Sequence, residues 1–435
     1  MRVIEDINGI GKGKLDSFIA SALEDINPGK KVLIIIPDYT RVDFTEIIGP
    51  LIVYVFKKKG AVKLDFLNAG GTHREMTEPE FYSKLGLKKK DSAVSFYNHN
   101  YSSDQDSLIT IGSISSDYVK EKTNGQLFES IPVTVNRLIL SEYNTIIAIS
   151  GTVPHEASGY SGGLKIFFPG ISGPEVIDLF HWSAVLVGIP DIIGMVDNNA
   201  RDIINEGSKL IFDNLKCDVF TFNMVSSEEG NTIIPNGLYI DRGYDGFIRA
   251  YRAATTLSSK VHIKYIDSPL EQAVQVIPEC YDEIWTAAKG SFKLQKPGVI
   301  AKGGEIILYG PHISCFHSDK KIDRELKEVG YHCKDLVCSI LDSGKKICRN
   351  SASHLINAAG SGIFNPKTGK EELNFKLTLA TGIPEEVCKS VGLNYRDPKT
   401  IKKSDFLGPG KLWIEEGGKY LYMLDKRNNG KRNTE

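Results

Sequence analysis

The first third of the chain alternates between helical spacings of apolar residues and short runs that are apolar throughout. Apolar residues recur every three or four positions over 15–26 and 43–60, which predicts two amphipathic helices. The runs KVLIIIP (31–37), VKLDFLNA (62–69) and NTIIAISG (144–151) are continuous and rich in β-branched residues, as is typical of strands buried on both faces. This alternation predicts an α/β fold with a mostly parallel sheet.

The second half of the chain repeats the pattern. Strands are predicted over 303–310 and 373–382, and helices over 281–291, over 321–330 and from Pro384 onward. A chain of 435 residues is too long for one ordinary core. We therefore expect two α/β lobes with mostly parallel sheets and a cleft between them.

The expected domain boundaries follow from these two blocks. The first domain is expected over 1–265 and the second over 275–405, with the segment 262–282 connecting the lobes. The residues 406–435 form a C-terminal extension, and its return to the first domain is left open.

The composition of the chain argues against several classes of protein. The formal net charge is −1, with no basic patch of the kind that nucleic-acid binding requires. No apolar run approaches the roughly 20 residues that span a bilayer, and the N-terminus lacks the apolar core of a signal peptide. The seven cysteines are odd in number and form no CxxC pair, which argues against a disulfide framework or a structural zinc site. We expect a cytoplasmic protein that binds neither nucleic acid nor membrane.

Three loops with polar side chains each follow a predicted strand. They are PDYTR (37–41), GGTHRE (70–75) and TVPHEASGYSGG (152–163). Ligands of open α/β sheets bind at the carboxyl ends of the strands. These loops are therefore expected to converge on one crevice.

Three of the nine histidines have neighbours that suggest chemistry. His73 and His155 lie in strand-end loops, and His181 lies on a predicted helix with its ring expected to point inward. Together with Asp38 and Arg41 they could bind a metal, but they lack the HExxH spacing of zincins. His99, His262, His317 and His332 are interpreted as surface or satisfied core residues. His312 and His354 end or follow strands of the second lobe and could line the cleft, but neither is assigned a role.

The stretch GYSGGLK resembles a phosphate-binding loop only superficially. Ile166 follows Lys165 where a P-loop has Ser or Thr, and the glycines do not follow the GxGxxG pattern. The backbone N–H groups of Ser161, Gly162 and Gly163 can still hold a nucleotide phosphate.

Together these motifs resemble the lactate racemase family, which uses the nickel-pincer nucleotide. The family has a strand-end D-x-x-R, a GTH loop and the pattern H-x-x-x-G-[FY]-S-G-G-x-K-x-x-x-P-G. Here these are Asp38 with Arg41, His73, and the stretch from His155 to Gly170, and His181 follows Lys165 by 16 residues, as in the family. The segments PHIS, GYHCKD and LATGIPEEVC extend the resemblance into the second half.

The resemblance implies a cofactor and a role for each motif. The first domain would hold a pyridinium-3-thioamide-5-thiocarboxylic acid mononucleotide carrying nickel, made by separate cofactor-synthesis enzymes. Lys165 would be its covalent anchor and His181 the nickel ligand, while Asp38, Arg41 and the glycine turn would help to bind it. His73 and His155 would transfer protons while C2 of a 2-hydroxy acid is inverted through a 2-keto acid.

The substrate segment departs from the family pattern. Lactate enzymes resemble Y-Q-x-x-K before a glycine, whereas this chain has Trp285, Thr286 and Lys289 there. Lys289 keeps the cation, and Arg41 offers a fork for the substrate carboxylate. The replaced residues predict a substrate larger than lactate.

Two other readings stay open. One is a histidine-rich, metal-dependent lyase or hydrolase acting through metal-bound water. The other is a protein without catalytic activity whose glycine loop holds an anionic ligand.

Overall fold

A computed structural model describes residues 1–71, 73–100, 105–230 and 232–425. The chain forms two compact units. The first comprises Met1–Ser183 with Gly194–His262, and the second comprises Ala184–Ile193 with the chain from Ile263 onward. Within the described residues, no helix combines the length and apolar character needed to cross a membrane.

The strands of the described residues fall into one large sheet in each unit, with smaller pairs beside them. Their bounds are β1 (Arg2–Glu5), β2 (Lys31–Ile36), β3 (Lys63–Asn68), β4 (Val94–Asn98), β5 (Leu108–Ile114), β6 (Ile131–Asn136), β7 (Thr145–Gly151), β8 (Pro154–His155), β9 (Gly159–Tyr160), β10 (Asp218–Glu229), β11 (Thr232–Arg242), β12 (Ile263–Ile266), β13 (Leu270–Val276), β14 (Ile300–Gly310), β15 (Gly362–Asn365), β16 (Lys370–Leu373), β17 (Phe375–Thr381), β18 (Asn394–Tyr395), β19 (Lys411–Ile414) and β20 (Leu421–Leu424).

The α-helices connect these strands and cover the sheets. Their bounds are α1 (Lys12–Asp25), α2 (Thr45–Lys58), α3 (Glu78–Lys84), α4 (Ser116–Lys122), α5 (Pro174–Val187), α6 (Ile189–Ile192), α7 (Asn199–Asn214), α8 (Gly243–His262), α9 (Ile284–Ala287), α10 (Lys289–Phe292), α11 (Lys320–Val329), α12 (Lys334–Asp342), α13 (Arg349–Ala359) and α14 (Glu385–Ser390).

The large sheet of the first unit has the order β1-β11-β10-β7-β2-β3-β4. The five strands from β10 to β4 pair in parallel, whereas β11 and β1 add in antiparallel fashion at one side. Residues Val32–Ile36 of β2 are all fully buried because β2 has neighbours on both edges and layers on both faces. The mostly parallel α/β fold predicted from the apolar runs is confirmed.

The sheet of the second unit has the order β18-β17-β14-β13-β19, and every neighbouring pair is parallel. The sequence pattern predicts that 262–282 connects the two lobes. In the structure, Leu270–Val276 of this segment forms β13, inside this sheet. Gln275 interrupts the apolar run, yet it is fully buried. Its amide donates to the Gly290 carbonyl at 2.9 Å and accepts from the Gly418 N–H at 3.1 Å. Buried amides satisfied in this way are compatible with a core strand.

Two other segments differ in detail from the pattern-based expectation. The single helix predicted over 281–291 is two short helices, α9 and α10, which meet at Ala288. After residue 405, β19 pairs with β13, so this part of the C-terminal extension lies in the sheet of the second unit. The last ten residues of the expected extension, 426–435, lie outside the described residues.

Candidate active site

The candidate site begins at the carboxyl ends of β7, β2 and β3, which are neighbours in the sheet of the first unit. β2 leads to Asp38, β3 to His73 and β7 to His155. Parallel strands place these ends at the same edge. Contacts between the first two loops confirm that they converge.

Asp38 and His73 form a carboxylate–imidazole pair. Oδ1 of Asp38 lies 3.2 Å from Nδ1 of His73, and it accepts two hydrogen bonds from Thr40, from the amide at 2.8 Å and the hydroxyl at 2.5 Å. Burial by itself would raise the pKa of Asp38, but His73, Arg41 and Thr40 together hold it well below its usual range. Because an ionised carboxylate only accepts, Nδ1 of His73 donates to it and Nε2 is the position for proton exchange.

Arg41 is held beside the same carboxylate. Its amide donates to the Asp38 carbonyl at 3.2 Å, and its Nε lies 3.6 Å from Oδ2 of Asp38. About a third of the side chain (30 %) is exposed. A guanidinium anchored at one edge keeps other N–H groups with which to bind an anion.

The turn that carries Lys165 depends on two glycines. Gly162 has φ +81° and ψ −176°, a conformation essentially restricted to glycine. A Cβ there would lie 2.7 Å from Oδ1 of Asn223 and from Oγ1 of Thr152. Gly163 has φ +59°, and a Cβ there would lie 3.1 Å from Tyr251. The glycine pair therefore lets the turn approach the sheet closely enough to place Lys165.

Backbone N–H groups of this turn already donate hydrogen bonds within the protein. This limits the phosphate-binding role expected for the glycine loop. Ser161 N–H donates to the Val153 carbonyl at 2.8 Å, and Gly163 N–H donates to the Ser150 hydroxyl at 3.2 Å. The expected phosphate-binding set of Ser161, Gly162 and Gly163 thus has two of its three donors bonded inside the protein. The spacing of the glycines shows a tight turn, and it does not show where the N–H groups point.

Lys165 lies among charges of both signs. Burial lowers the pKa of its amine to about 7, assisted by the charges of Arg41 and Arg201 and opposed by those of Glu156 and Asp38. A large share of the amine is therefore neutral at neutral pH. A neutral amine is the nucleophilic form that forms bonds to carbonyl-type carbon.

His181, on α5, belongs to the same electrostatic environment. Burial and then the charge of Lys165 lower the pKa of its ring to about 4. Its Nδ1 lies 2.8 Å from the carbonyl of Ile177 and donates to it. Nε2 is therefore the nitrogen whose lone pair can bind a metal, and a backbone carbonyl on the other nitrogen is the usual support for such a ligand.

His155 has a different arrangement around Nδ1. The Ala157 N–H donates to Nδ1 at 3.1 Å, and Oε2 of Glu156 lies 3.6 Å from the same atom. The charge of Glu156 also acts on Lys165 and His181. Glu156 was not identified from the sequence, although its position directly after His155 is a visible signal.

Arg201 is a second residue that the motifs did not reveal. It is 3 % exposed, and its guanidinium donates to the carbonyls of Ser158, Tyr160 and Gly162. It also stacks on Tyr251, with the guanidinium carbon 4.0 Å from the ring centroid. Arg201 therefore fixes the backbone of residues 158–162, the segment that leads to Lys165. Its sequence context, the first turn of α7, gives no sign of this role.

The expected substrate residues Trp285, Thr286 and Lys289 lie in the second unit. Trp285 stacks on His354 with ring centroids 4.4 Å apart, and Lys289 Nζ lies 4.5 Å from the centroid of Tyr281. Thr286 is buried, and its hydroxyl donates to the carbonyl of Glu283 at 3.0 Å. Of the three, Thr286 thus has its polar atom engaged within its own helix.

Two of the histidines without an assigned role are satisfied in the core. Nε2 of His99 lies 2.9 Å from the Ser172 carbonyl, and Nε2 of His262 lies 2.9 Å from the Ser226 carbonyl. Across the described part of the chain, no three side chains of His, Cys, Asp or Glu are grouped as a protein-only metal site would group them.

Comparison with known proteins shows which of them this chain resembles in sequence. Residues 13–188 match the model of the lactate racemase N-terminal domain, and this range holds every candidate residue from Asp38 to His181. The chain thus carries a lactate racemase N-terminal domain over these residues. A lactate racemase of Thermoanaerobacterium thermosaccharolyticum is 29% identical over 191 residues, which cover 43% of this chain and 41% of that protein. The chain thus matches about two-fifths of the length of this relative.

Two solved structures extend the comparison to the second unit. A protein from Thermotoga maritima is 50% identical, with a TM-score of 0.93 over 97% of this chain and all of that chain. The lactate racemase apoprotein from T. thermosaccharolyticum has a TM-score of 0.66 at 18% identity, covering 94% of this chain and 93% of that one. The second likeness shows a shared fold over 94% of this chain.

Proposed function

We propose that this protein is a racemase or epimerase of 2-hydroxy acids that carries a covalently bound nickel-pincer nucleotide. One observation carries the proposal: Lys165 and His181 share one electrostatic environment and are both prepared to act as neutral nitrogen donors. The match of residues 13–188 to the lactate racemase N-terminal domain supports the same reaction class.

The residues present fit the group. The lowered pKa of Lys165, about 7, makes its amine available for a thioamide bond to the cofactor. His181 presents Nε2 because Nδ1 donates to Ile177. One imidazole together with sulfur donors suits tetragonal nickel. When bound, this group supplies an electron-poor pyridinium ring and nickel, the chemistry needed to take up a hydride from C2 of the substrate.

The chain's own residues would handle the protons. Removing hydride from the carbinol carbon is easier when a base takes the hydroxyl proton at the same time. His73, oriented by Asp38, would serve one enantiomer and His155 the other. Each would act as the base in one direction and as the acid in the reverse direction.

Substrate orientation would come from cations. Arg41 would bind the carboxylate with the N–H groups that Asp38 does not engage, and Lys289 would supply a second cation. Trp285 and Thr286 stand where lactate enzymes have Tyr and Gln, and this change in the residues expected to line the pocket is the reason that we propose a 2-hydroxy acid larger than lactate. Thr286 contributes less to this argument, because its hydroxyl is bonded to Glu283.

Maturation and location complete the proposal. The attachment to Lys165 requires a finished cofactor, so we propose that cofactor-synthesis enzymes are the maturation partners. The cytoplasm, where the substrate and those enzymes would be available, is the proposed location.

The test is to co-express the chain with the cofactor-synthesis enzymes and measure three quantities. Peptide mass mapping should find an adduct on Lys165, elemental analysis should find nickel, and chiral chromatography should show interconversion of single enantiomers from a panel of 2-hydroxy acids. Lys165→Ala should lose the adduct and His181→Ala should lose nickel. His73→Ala should keep both and lose turnover.

Matched controls separate these effects from general damage. Lys209→Ala and His312→Ala alter exposed residues of the same types and should behave as the wild type. Full activity with an unmodified Lys165 would refute the covalent attachment. Interconversion of lactate alone would refute the argument from Trp285.

A further inference from the structure

The two histidines proposed for proton transfer differ in what faces Nδ1. Nδ1 of His73 meets the carboxylate of Asp38 at 3.2 Å. Nδ1 of His155 accepts from the Ala157 N–H at 3.1 Å, with the carboxylate of Glu156 slightly farther away at 3.6 Å. The Nδ1 atom of each ring therefore has a carboxylate close by, but only His73 donates to its carboxylate in this conformation.

This difference determines where the proton of each neutral ring lies. When Nδ1 of His155 accepts an N–H, the ring must carry its proton on Nε2. A ring in that form has no lone pair on Nε2 with which to act as a base. For Nε2 to accept a proton, Nδ1 must hold one, and that Nδ1–H needs an acceptor.

We propose that Glu156 is a positioning residue for His155, accepting its Nδ1–H whenever the ring takes part in proton transfer. Asp38 has this relation to His73 in the present conformation. The change for His155 is small: Nδ1 exchanges an accepted bond from Ala157 for a donated bond to Glu156. The carboxylate must approach by about half an ångström to reach ordinary hydrogen-bond length.

The surroundings support this reading. Glu156 is partly buried, with 16 % of its side chain exposed. Its charge reaches both Lys165 and His181, so the carboxylate lies within the site and does not point away from it. A racemase needs a competent base on each face of its substrate. Two carboxylate–imidazole pairs would meet that need in a similar way on both faces.

The inference rests on the proposed function for its catalytic meaning, so its first test does not use activity. In the full chain without cofactor, nitrogen NMR measures the fraction of His155 that is doubly protonated at pH 6. Glu156→Gln should reduce that fraction several-fold, because the protonated ring loses an adjacent negative charge. The charged groups that act on Lys165 together with Glu156, namely Asp38, Arg41 and Arg201, are unchanged in the variant.

The control for this experiment is Glu175→Gln, which removes an exposed carboxylate from the first turn of α5. It should leave the protonation of His155 unchanged. Equal protonated fractions in Glu156→Gln and the wild type would overturn the proposal, whether or not the protein is a racemase.

The second test uses the protein loaded with cofactor. Glu156→Gln should keep the adduct and nickel, keep KM within about two-fold, and lose on the order of 10- to 100-fold in kcat in both directions. Glu156→Asp should recover part of the loss, because it retains a carboxylate.

The outcomes separate the two ideas. Loss of nickel or adduct in Glu156→Gln would assign Glu156 to cofactor binding and overturn the role beside His155. A wild-type protein that turns over no 2-hydroxy acid would refute the proposed function, while the NMR result would still decide whether Glu156 and His155 form a pair.

Discussion

Asp38→Asn tests the electrostatic role of the carboxylate beside His73. Thr40 donates twice to Oδ1, so the asparagine carbonyl oxygen should occupy the Oδ1 position and the amide nitrogen the Oδ2 position. Nδ1 of His73 then still has an acceptor at the Oδ1 position, 3.2 Å away in the native protein. The substitution therefore removes the negative charge and leaves the geometry of the pair nearly intact.

The expected loss follows from the charge. A hydrogen bond to a charged group contributes about 1.5–3 kcal/mol, against about 1 kcal/mol for a neutral pair. Asp38→Asn leaves a neutral acceptor beside the ring, so protonated His73 should lose roughly 1–2 kcal/mol of stabilisation, which is roughly 5- to 30-fold in a rate that depends on that form.

The assay is turnover of cofactor-loaded protein in both directions, with adduct and nickel measured on the same samples. We expect kcat to fall by the stated factor while cofactor content is unchanged. Asp245→Asn, an exposed carboxylate in the first turn of α8, is the matched control. Unchanged turnover in Asp38→Asn would refute the reasoning, and so would a loss explained entirely by missing cofactor.

Two further predictions concern stability. Gly162→Ala should lower the free energy of unfolding of the first unit by about 2–4 kcal/mol, through backbone strain and overpacking against Asn223 and Thr152. Gly125 is also at positive φ but has open space around it, so Gly125→Ala should lower that free energy by about 1 kcal/mol. Equal losses for the two variants in urea denaturation would contradict the packing argument. Burial lowers the pKa of His99 and His181 to about 4 and that of His354 to about 3. Because the unfolded rings protonate near pH 6.5, the stability from these groups is present above that pH and should fall by up to about 1.4 kcal/mol per ring for each pH unit below it. Urea denaturation at pH 7.5 and 5.5 checks this, and His354→Asn should reduce the loss in the second unit.

Where one local pattern dictates one structure, the sequence predicted the fold well. The apolar runs at β2, β3 and β7 are typical of buried strands of a layered sheet. Thr77 and Glu80 form a capping box at the start of α3, and the Thr-x-x-Glu pattern is typical of a helix N-terminus. Gln275 shows the opposite case. It lies in the segment 262–282, which the sequence pattern predicts to be a connection, and the two backbone groups that satisfy its amide belong to Gly290 and Gly418, outside that segment.

The site shows the same division. Strand-end loops and family motifs mark Asp38, His73 and Lys165 as candidates. The role of Arg201 depends on carbonyls of another segment, which no pattern around Arg201 records. The bonding of the Ser161 and Gly163 amides likewise depends on Val153 and Ser150, so the sequence predicted the turn but not the direction of its donors.

The charges of the site are controlled by which buried groups receive hydrogen-bond donors. Burial alone would neutralise Asp38, Lys165 and His181 alike. Asp38 stays ionised because hydrogen bonds from Thr40 and His73, together with the positive charges nearby, keep the pKa of its carboxyl low. Lys165 receives net repulsion from Arg41 and Arg201 in addition to burial, and the pKa of its amine falls to about 7. Of these buried groups, one can therefore remain an anion and two can remain neutral nitrogens, as the roles proposed for Asp38, Lys165 and His181 require, because the arrangement of neighbours pushes their pKa values apart.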